Sequence, residues 1–126
     1  MAEAVEVMAK LDALAVELDQ RSSQLAQVER DLDPVEERYT DFYEGFVAGM
    51  FEDEDSKRMP GEDVRRALAH KYLKNSDPEL LGNYRRLTRQ RDRLKRRIET
   101  LGKAASAQQS ILSALKREME ATGGYR

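Results

Sequence analysis

Cationic side chains are concentrated in one short stretch of the chain, between Arg85 and Arg97. This stretch holds eight arginine and lysine residues and one acid, Asp92. Five of its arginines take heptad positions that point away from a partner helix, and we call them the arginine stripe: Arg85, Arg86, Arg89, Arg93 and Arg96. Such a stripe can follow a phosphate backbone or dock onto an acidic protein surface. A solvated face without any partner is the equally open alternative.

The other polar residues give weaker indications of chemistry. His70 is the one histidine and there is no cysteine, so we expect a surface or cap-side histidine rather than a metal ligand or a catalytic base. The acidic run Glu52–Asp55 lacks the glycine and the spacing of a calcium loop, which predicts a solvated loop. No glycine-rich phosphate loop or nucleophile motif occurs. We therefore predict a protein that is not an enzyme, with no catalytic residue, metal, cofactor or small-molecule substrate.

The composition favours long helices over a thick globular core. The 126 residues are 37% charged and 40% hydrophobic, without tryptophan, which suits helices that share one narrow apolar seam. The net charge of −2 does not decide whether the partner is a polyanion. No apolar stretch approaches the ~20 residues that cross a bilayer, and Met1–Ala4 begins no hydrophobic signal core. We expect a cytoplasmic protein with no membrane contact.

Two tracts repeat apolar residues at alternating spacings of three and four. The first tract is broken by a single polar position, Arg21, and is otherwise made of Val7, Leu11, Leu14, Leu18, Leu25, Val28, Leu32, Val35, Tyr39, Phe42 and Phe46. The second tract is Leu80, Tyr84, Leu87, Arg91, Leu94, Ile98, Leu101, Ala105, Gln108, Leu112, Leu115 and Met119. Heptads sustained over this length predict a coiled coil.

The two tracts also match each other as an antiparallel pair. Residues that face each other across such a pair have a constant sum of residue numbers. A sum of 126 pairs Leu25 with Leu101, Tyr39 with Leu87, and Phe42 with Tyr84. The same sum brings Asp31 near Arg97, which joins opposite charges. The pattern therefore predicts a hairpin in which the two tracts pair in this register.

We predict an all-α fold, a long antiparallel helical hairpin (coiled coil) with a short third helix packed at the closed end. It forms a single domain over 1–126, with a long helix 3–50, an acidic loop 51–60, a short helix 61–74 and a long helix 77–121. Pro34 should kink the first helix near 33–34 or start a new one capped by Asp33. Asp77 and Pro78 are predicted to cap and begin the last helix, and Gly123-Gly124 to end it.

The closed end of the hairpin should hold a small core. Val64, Leu68 and either Tyr72 or Leu73 recur at helical spacing, which predicts the face by which the short helix packs. Seven of the eight aromatic residues lie in the sequence near this end. We interpret them as core packing rather than as a ligand pocket.

Polar or small residues interrupt the seam and suggest a partner surface. These seam positions are Arg21, Arg91, Ala105 and Gln108. Polar seam residues commonly set the oligomeric state and the register of a coiled coil. We therefore predict self-association as a dimer or a higher oligomer.

The segment Val64–Leu73 and the long helix that ends in Gln109–Met119 resemble small coiled-coil accessory proteins of tailed bacteriophages, often encoded beside recombination and replication genes. The resemblance covers the second half of the chain and implies a non-enzymatic role around DNA metabolism or host takeover. Tyr43-Glu44-Gly45 is similar to the Trp-x-Gly bend of small secreted helical-hairpin proteins, with tyrosine in place of tryptophan. An acidic tip at Glu52–Asp55 resembles factors that insert a coiled coil into the RNA polymerase secondary channel.

The leading expectation is a phage accessory protein that acts with DNA recombination or replication machinery through the arginine stripe. The partner would be a nucleic acid backbone or an acidic protein surface. The alternatives are an inhibitor or adaptor of a host protein such as RNA polymerase, and a self-assembling structural coiled coil.

Overall fold

A computed structural model describes residues 2–52 and 60–122 of the chain. Three helices occur in these ranges: α1 (Ala2–Glu52), α2 (Glu62–Ser76) and α3 (Pro78–Ala121). The described residues contain no strand. The all-α class and the hairpin of two long helices with a short third helix are confirmed. No helix in the described part of the chain is long and apolar enough to cross a membrane.

The seam that the heptads predict is the inner face of both long helices. Every seam position of α1 from Val7 to Phe46 is buried or half-buried, including the polar Arg21. In α3 the same holds from Leu80 to Leu115. Met119 alone among the predicted seam positions is exposed, at 40%. The apolar periodicity therefore places the packing surface correctly, because residues three and four apart share one face of a helix.

The chain divides into two compact units. One unit contains Gln27–Arg91, and the other contains α1 up to Ala26 with α3 from Asp92 onward. We call them the aromatic unit and the polar unit. In the aromatic unit all three helices meet around a core of four buried residues, Tyr39, Leu73, Leu80 and Leu81. In the polar unit the buried residues are Val7 and Leu101.

The polar cap predicted at the start of α3 is confirmed. Asp77 Oδ1 accepts a hydrogen bond from the Leu80 backbone N–H at 3.1 Å. The Asp77 N–H itself donates to the Leu73 carbonyl at 2.8 Å, which closes the end of α2. Pro78 then occupies the first helical position, where its missing N–H costs no hydrogen bond. One residue thus ends one helix and begins the next.

Pro34 lies inside α1, and no new helix begins there. The interpretation of Asp33 as an N-cap was therefore wrong. Proline removes one backbone hydrogen bond but keeps a helical φ, so a helix packed along an apolar seam on both sides of it can continue. The acidic stretch 53–55 and Gly123-Gly124 lie outside the described residues.

The short helix is buried through a face next to the one predicted. Its buried residues are Ala69 and Leu73. Val64, Leu68 and Tyr72 are 51%, 42% and 55% exposed, although the ring of Tyr72 packs on Phe42 and Phe46 of α1. Of the two alternatives left open at the end of that face, Leu73 is the core residue. Helical spacing alone could not distinguish the two faces, because Ala69 and Leu73 are also four residues apart.

The pairing of the long helices stays near the predicted register in the aromatic unit and differs from it in the polar unit. In the aromatic unit Arg91 lies 3.8 Å from Glu36, close to the predicted sum of residue numbers. Tyr39 stacks on Tyr84, the seam neighbour of the expected Leu87, with ring centroids 4.0 Å apart. In the polar unit Arg97 pairs with Glu17 and not with the expected Asp31. A heptad seam repeats every few residues, so a neighbouring register buries nearly the same set of side chains.

Candidate functional site

All five arginines of the arginine stripe are exposed, as the heptad positions predicted. They lie on α3, with Arg85, Arg86 and Arg89 in the aromatic unit and the other two in the polar unit. At about 100° per residue, the five positions fall within roughly 100° of arc around the helix axis. They therefore form one cationic face of a single helix.

Other arginines of α3 are used to hold the long helices together. Arg97 donates from Nε and Nη2 to Glu17 Oε1 at 3.0 and 2.7 Å. Arg91 Nη1 lies 3.8 Å from Glu36 Oε1. The hydrogen bond from Arg97 is the main cause that lowers the pKa of Glu17. Both guanidinium groups thus have carboxylate partners on α1.

The arginine stripe has no comparable carboxylate partners in the described part of the chain. Arg86, Arg89 and Arg93 form no hydrogen bond or ion pair with any described residue. Arg96 Nε reaches only a backbone oxygen, that of Asp92, at 3.4 Å. Arg85 Nη2 lies 3.3 Å from His70 Nδ1. The positive charge of the stripe is therefore not neutralised by carboxylates of α1 among the described residues.

His70 links the three helices of the aromatic unit. Its Nε2 is 2.7 Å from the Tyr39 hydroxyl of α1, and its Nδ1 faces Arg85 of α3. Because a guanidinium can only donate, Nδ1 must be the acceptor, and the ring proton sits on Nε2 and is donated to Tyr39 Oη. The hydroxyl proton of Tyr39 is then available to a further acceptor.

Both members of this pair are held in their neutral forms. Burial, followed by the charges of Arg85 and Arg66, lowers the pKa of His70. Burial is also the main cause that raises the pKa of Tyr39. The expectation of a surface histidine was wrong, because His70 is half-buried and bonded on both nitrogens. A neutral imidazole flanked by two cations can position a hydroxyl group but is a weak general base at neutral pH.

An open cleft of about 590 Å³ adjoins this histidine in the aromatic unit. Three helices line it, and its lining is aromatic and polar: Glu36, Tyr39, Thr40, Tyr43, Glu44, Arg66, His70 and Tyr84. The rings of Tyr43, Tyr39 and Tyr84 lie nearly parallel, with interplanar angles of 11° and 8° along the series. The volume falls within the range of small-ligand sites.

A second, smaller cleft of about 340 Å³ shares Tyr43 and Glu44 with the first. Two polar atoms of its lining residues are buried without a hydrogen-bond partner among the described residues, Tyr43 Oη and Arg65 Nε. Both atoms are shielded from solvent, so a ligand in the open cleft could not reach them without a movement of the surrounding side chains. The cost of about 1–3 kcal/mol for each unpaired buried polar atom therefore stays with the fold.

The four seam positions that were predicted to form a partner surface are divided between the two units. Arg91 belongs to the aromatic unit, whereas Arg21, Ala105 and Gln108 belong to the polar unit and are half-buried. Arg21 Nη1 donates to Gln24 at 3.0 Å, and its Nε lies 3.7 Å from Glu17. Arg21 Nε and Gln108 Oε1 are buried without hydrogen-bond partners among the described residues. Polar atoms therefore weaken the seam of the polar unit.

Sequence reasoning missed the cleft and the network around His70. His70 is 31 residues from Tyr39 and 15 from Arg85, so no local spacing joins them. Only the clustering of aromatic residues in the sequence indicated this site, and we interpret that clustering as core packing in the sequence analysis. That assignment holds for Tyr39, which is 9% exposed, but the half-buried Tyr43 and Tyr84 also line the cleft.

Comparison of the chain with protein-family models, with curated proteins and with solved structures found no match.

Proposed function

We propose that this chain is a non-enzymatic helical protein that binds the phosphate backbone of nucleic acid through the arginine stripe of α3. One observation carries the proposal: Arg86, Arg89 and Arg93 are exposed on one face and have no carboxylate partner among the described residues. Arg91 and Arg97 on the same helix do have such partners. A cationic helix face of this kind binds phosphates by releasing condensed counterions, without reading sequence.

The resemblance to phage accessory proteins supports the same proposal, because it implies a role beside recombination and replication machinery. The phage origin, the cytoplasmic location and the self-association stay predictions. An acidic surface of a host protein is the competing partner, since the same guanidinium groups would pair with its carboxylates. Nucleic acid is favoured because phosphates offer a regular row of charges along which one helix face can lie.

The test is binding of labelled single- and double-stranded DNA of equal length across a salt series. We expect log affinity to fall linearly with log salt concentration between about 50 and 200 mM, whatever the base sequence. The triple variant Arg86→Glu, Arg89→Glu and Arg93→Glu should lose binding. For duplex DNA, each phosphate contact removed should reduce the salt slope by about 0.9. Circular dichroism should show unchanged helicity, because all three side chains are exposed.

The matched control reverses three exposed cations elsewhere, with the variant Lys10→Glu, Lys116→Glu and Arg117→Glu. It changes the net charge by the same amount and should keep most of the affinity and the salt slope. Equal loss in both variants would show that overall charge, not the arginine stripe, determines binding. No binding of the natural chain at the lowest salt concentration would overturn the proposal in favour of an acidic protein partner.

A further inference from the structure

We infer that the cleft beside His70 receives an unpaired base of a single-stranded nucleic acid whose phosphates lie on the arginine stripe. The inference rests on the proposed function and adds a preference for single strands over duplexes. It is carried by the cleft that Tyr43, Tyr84, His70 and Arg66 line, and by its position next to Arg85.

The charges around the cleft select a neutral ligand. Glu36 and Glu44 contribute two carboxylates, Arg66 contributes one guanidinium, and His70 is neutral. Glu36 is shared with Arg91, and Arg66 with Glu62 at 2.8 Å. These two pairs are each neutral and Glu44 leaves one net negative charge, which repels a phosphate group inside the cleft. A neutral flat molecule avoids the desolvation cost that an ion would bear there.

The hydrogen-bonding groups call for a ligand with both acceptors and donors on its edge. Tyr84 brings a hydroxyl group to the cleft lining, and the Tyr39 proton is available because Tyr39 accepts from His70. Thr40 and Glu44 supply acceptors from the same lining. A nucleobase combines an apolar face with such a mixed edge, and stacking on aromatic side chains is the usual mode of holding an unpaired base.

The cleft and the arginine stripe are connected through one hydrogen bond. Arg85 begins the stripe and lies 3.3 Å from the ring of His70, which lines the cleft. Tyr84, another lining residue, immediately precedes Arg85 in α3. A strand whose phosphates contact Arg86 and Arg89 would therefore carry its bases past the mouth of the cleft. A duplex has its bases stacked and paired, so it could use the stripe but not the cleft.

His70 is the single histidine of the chain, and its imidazole C–H resonances report on the cleft without assignment of other residues. We expect these resonances to shift when a single-stranded oligonucleotide is titrated in, and to stay in place with the duplex of the same sequence. Binding of the single strand should also be tighter than binding of the duplex at equal salt concentration.

The variant Tyr84→Phe removes a hydroxyl from the cleft lining and should leave the fold intact, because phenylalanine keeps the ring that stacks on Tyr39. We expect it to weaken single-strand binding about two- to tenfold, the worth of one hydrogen bond, and to leave duplex binding unchanged. The matched control is Tyr72→Phe, which alters a 55% exposed tyrosine of the same unit that does not line the cleft.

Failure of this inference is distinguishable from failure of the proposed function. If the reversal of Arg86, Arg89 and Arg93 abolishes binding while single strands and duplexes bind alike and His70 does not respond, the cleft takes no base and the proposed function stands. If Tyr84→Phe and Tyr72→Phe both leave single-strand affinity unchanged, the inference is overturned. If neither form of nucleic acid binds at low salt, the proposed function fails and the inference fails with it.

Discussion

At the residue scale, His70 is the side chain of α2 that connects this helix to both α1 and α3. Its two nitrogens contact groups from two other helices, a hydroxyl of α1 and a guanidinium of α3. Protonation of Nδ1 would turn an acceptor into a donor that faces Arg85, so the existing hydrogen bond would be lost. The charge state of this one ring is therefore linked to the packing of all three helices in the aromatic unit.

We expect the stability of the protein to fall on mild acidification because of His70. Its pKa is lowered from the ordinary 6.5 by burial and then by Arg85 and Arg66, so the unfolded chain binds the proton first as pH decreases. The free energy of unfolding should be highest above about pH 6.5 and should fall from there toward the folded-state pKa. Urea unfolding at about pH 7.0 and about pH 5.5 measures this difference.

The control for this prediction is His70→Gln, which cannot titrate and should lose most of the pH dependence in that interval. The carboxylate of Glu17 does not interfere, because its lowered pKa places its own effect below 4.5. A His70 pKa of 6.5 or above, measured from its imidazole resonances, would contradict the prediction.

At the element scale, the junction between α2 and α3 depends on Asp77. Its backbone N–H closes α2, and its carboxylate caps α3 by accepting from the Leu80 N–H. The second carboxylate oxygen lies 3.8 Å from Arg38 Nη2 of α1. Leu80 and Leu81 follow immediately and belong to the core. The cap thus fixes where the first buried turn of α3 begins.

We expect Asp77→Ala to lower the free energy of unfolding by about 1 kcal/mol, the usual worth of an N-cap side chain. Asp77→Asn keeps an oxygen that can cap the helix and should cost less. The second control is Asp33→Ala, which changes an exposed aspartate inside α1 that caps no helix. Denaturant unfolding of the three variants measures the order, and a larger loss for Asp33→Ala than for Asp77→Ala would contradict it.

At the scale of the whole molecule, the polar unit carries features that suit a second copy of the chain. Arg21 Nε and Gln108 Oε1 are buried there without hydrogen-bond partners among the described residues. Val5, Met8 and Val16 of α1 are 65%, 53% and 59% exposed. Polar seam residues and exposed apolar residues together favour self-association, which stays a prediction.

We expect light scattering to show a dimer or a higher oligomer, and Arg21→Leu to change the measured mass. A leucine at this position would make the α1 side of the seam apolar without interruption, and polar seam residues set the oligomeric state in coiled coils. The control Lys10→Leu alters an exposed residue outside the seam and should leave the mass as it is. An unchanged mass for Arg21→Leu would count against a role of this residue in assembly.

Much of the fold, but less of the candidate site, could be predicted from the chain. The heptads identified the buried seam, and Asp77-Pro78 identified the start of α3. Exposure of the arginine stripe followed from the same periodicity. The partners of Arg97 and the stacking of Tyr39 on Tyr84 could not be predicted, since neighbouring registers of a heptad seam bury similar apolar area. The packing face of α2 was misassigned for a related reason, as two overlapping sets of residues share its helical spacing.

The sequence by itself determined the helical class, the seam and the cationic outer face of α3, because each depends on local periodicity along a single helix. Only the tertiary structure decided which arginines of α3 form ion pairs with carboxylates of α1. It also decided that His70 joins Tyr39 to Arg85, and that a cleft lined by aromatic and polar side chains opens beside them. These features depend on side chains far apart in the chain, and their contacts arise only when three helices pack in one particular register.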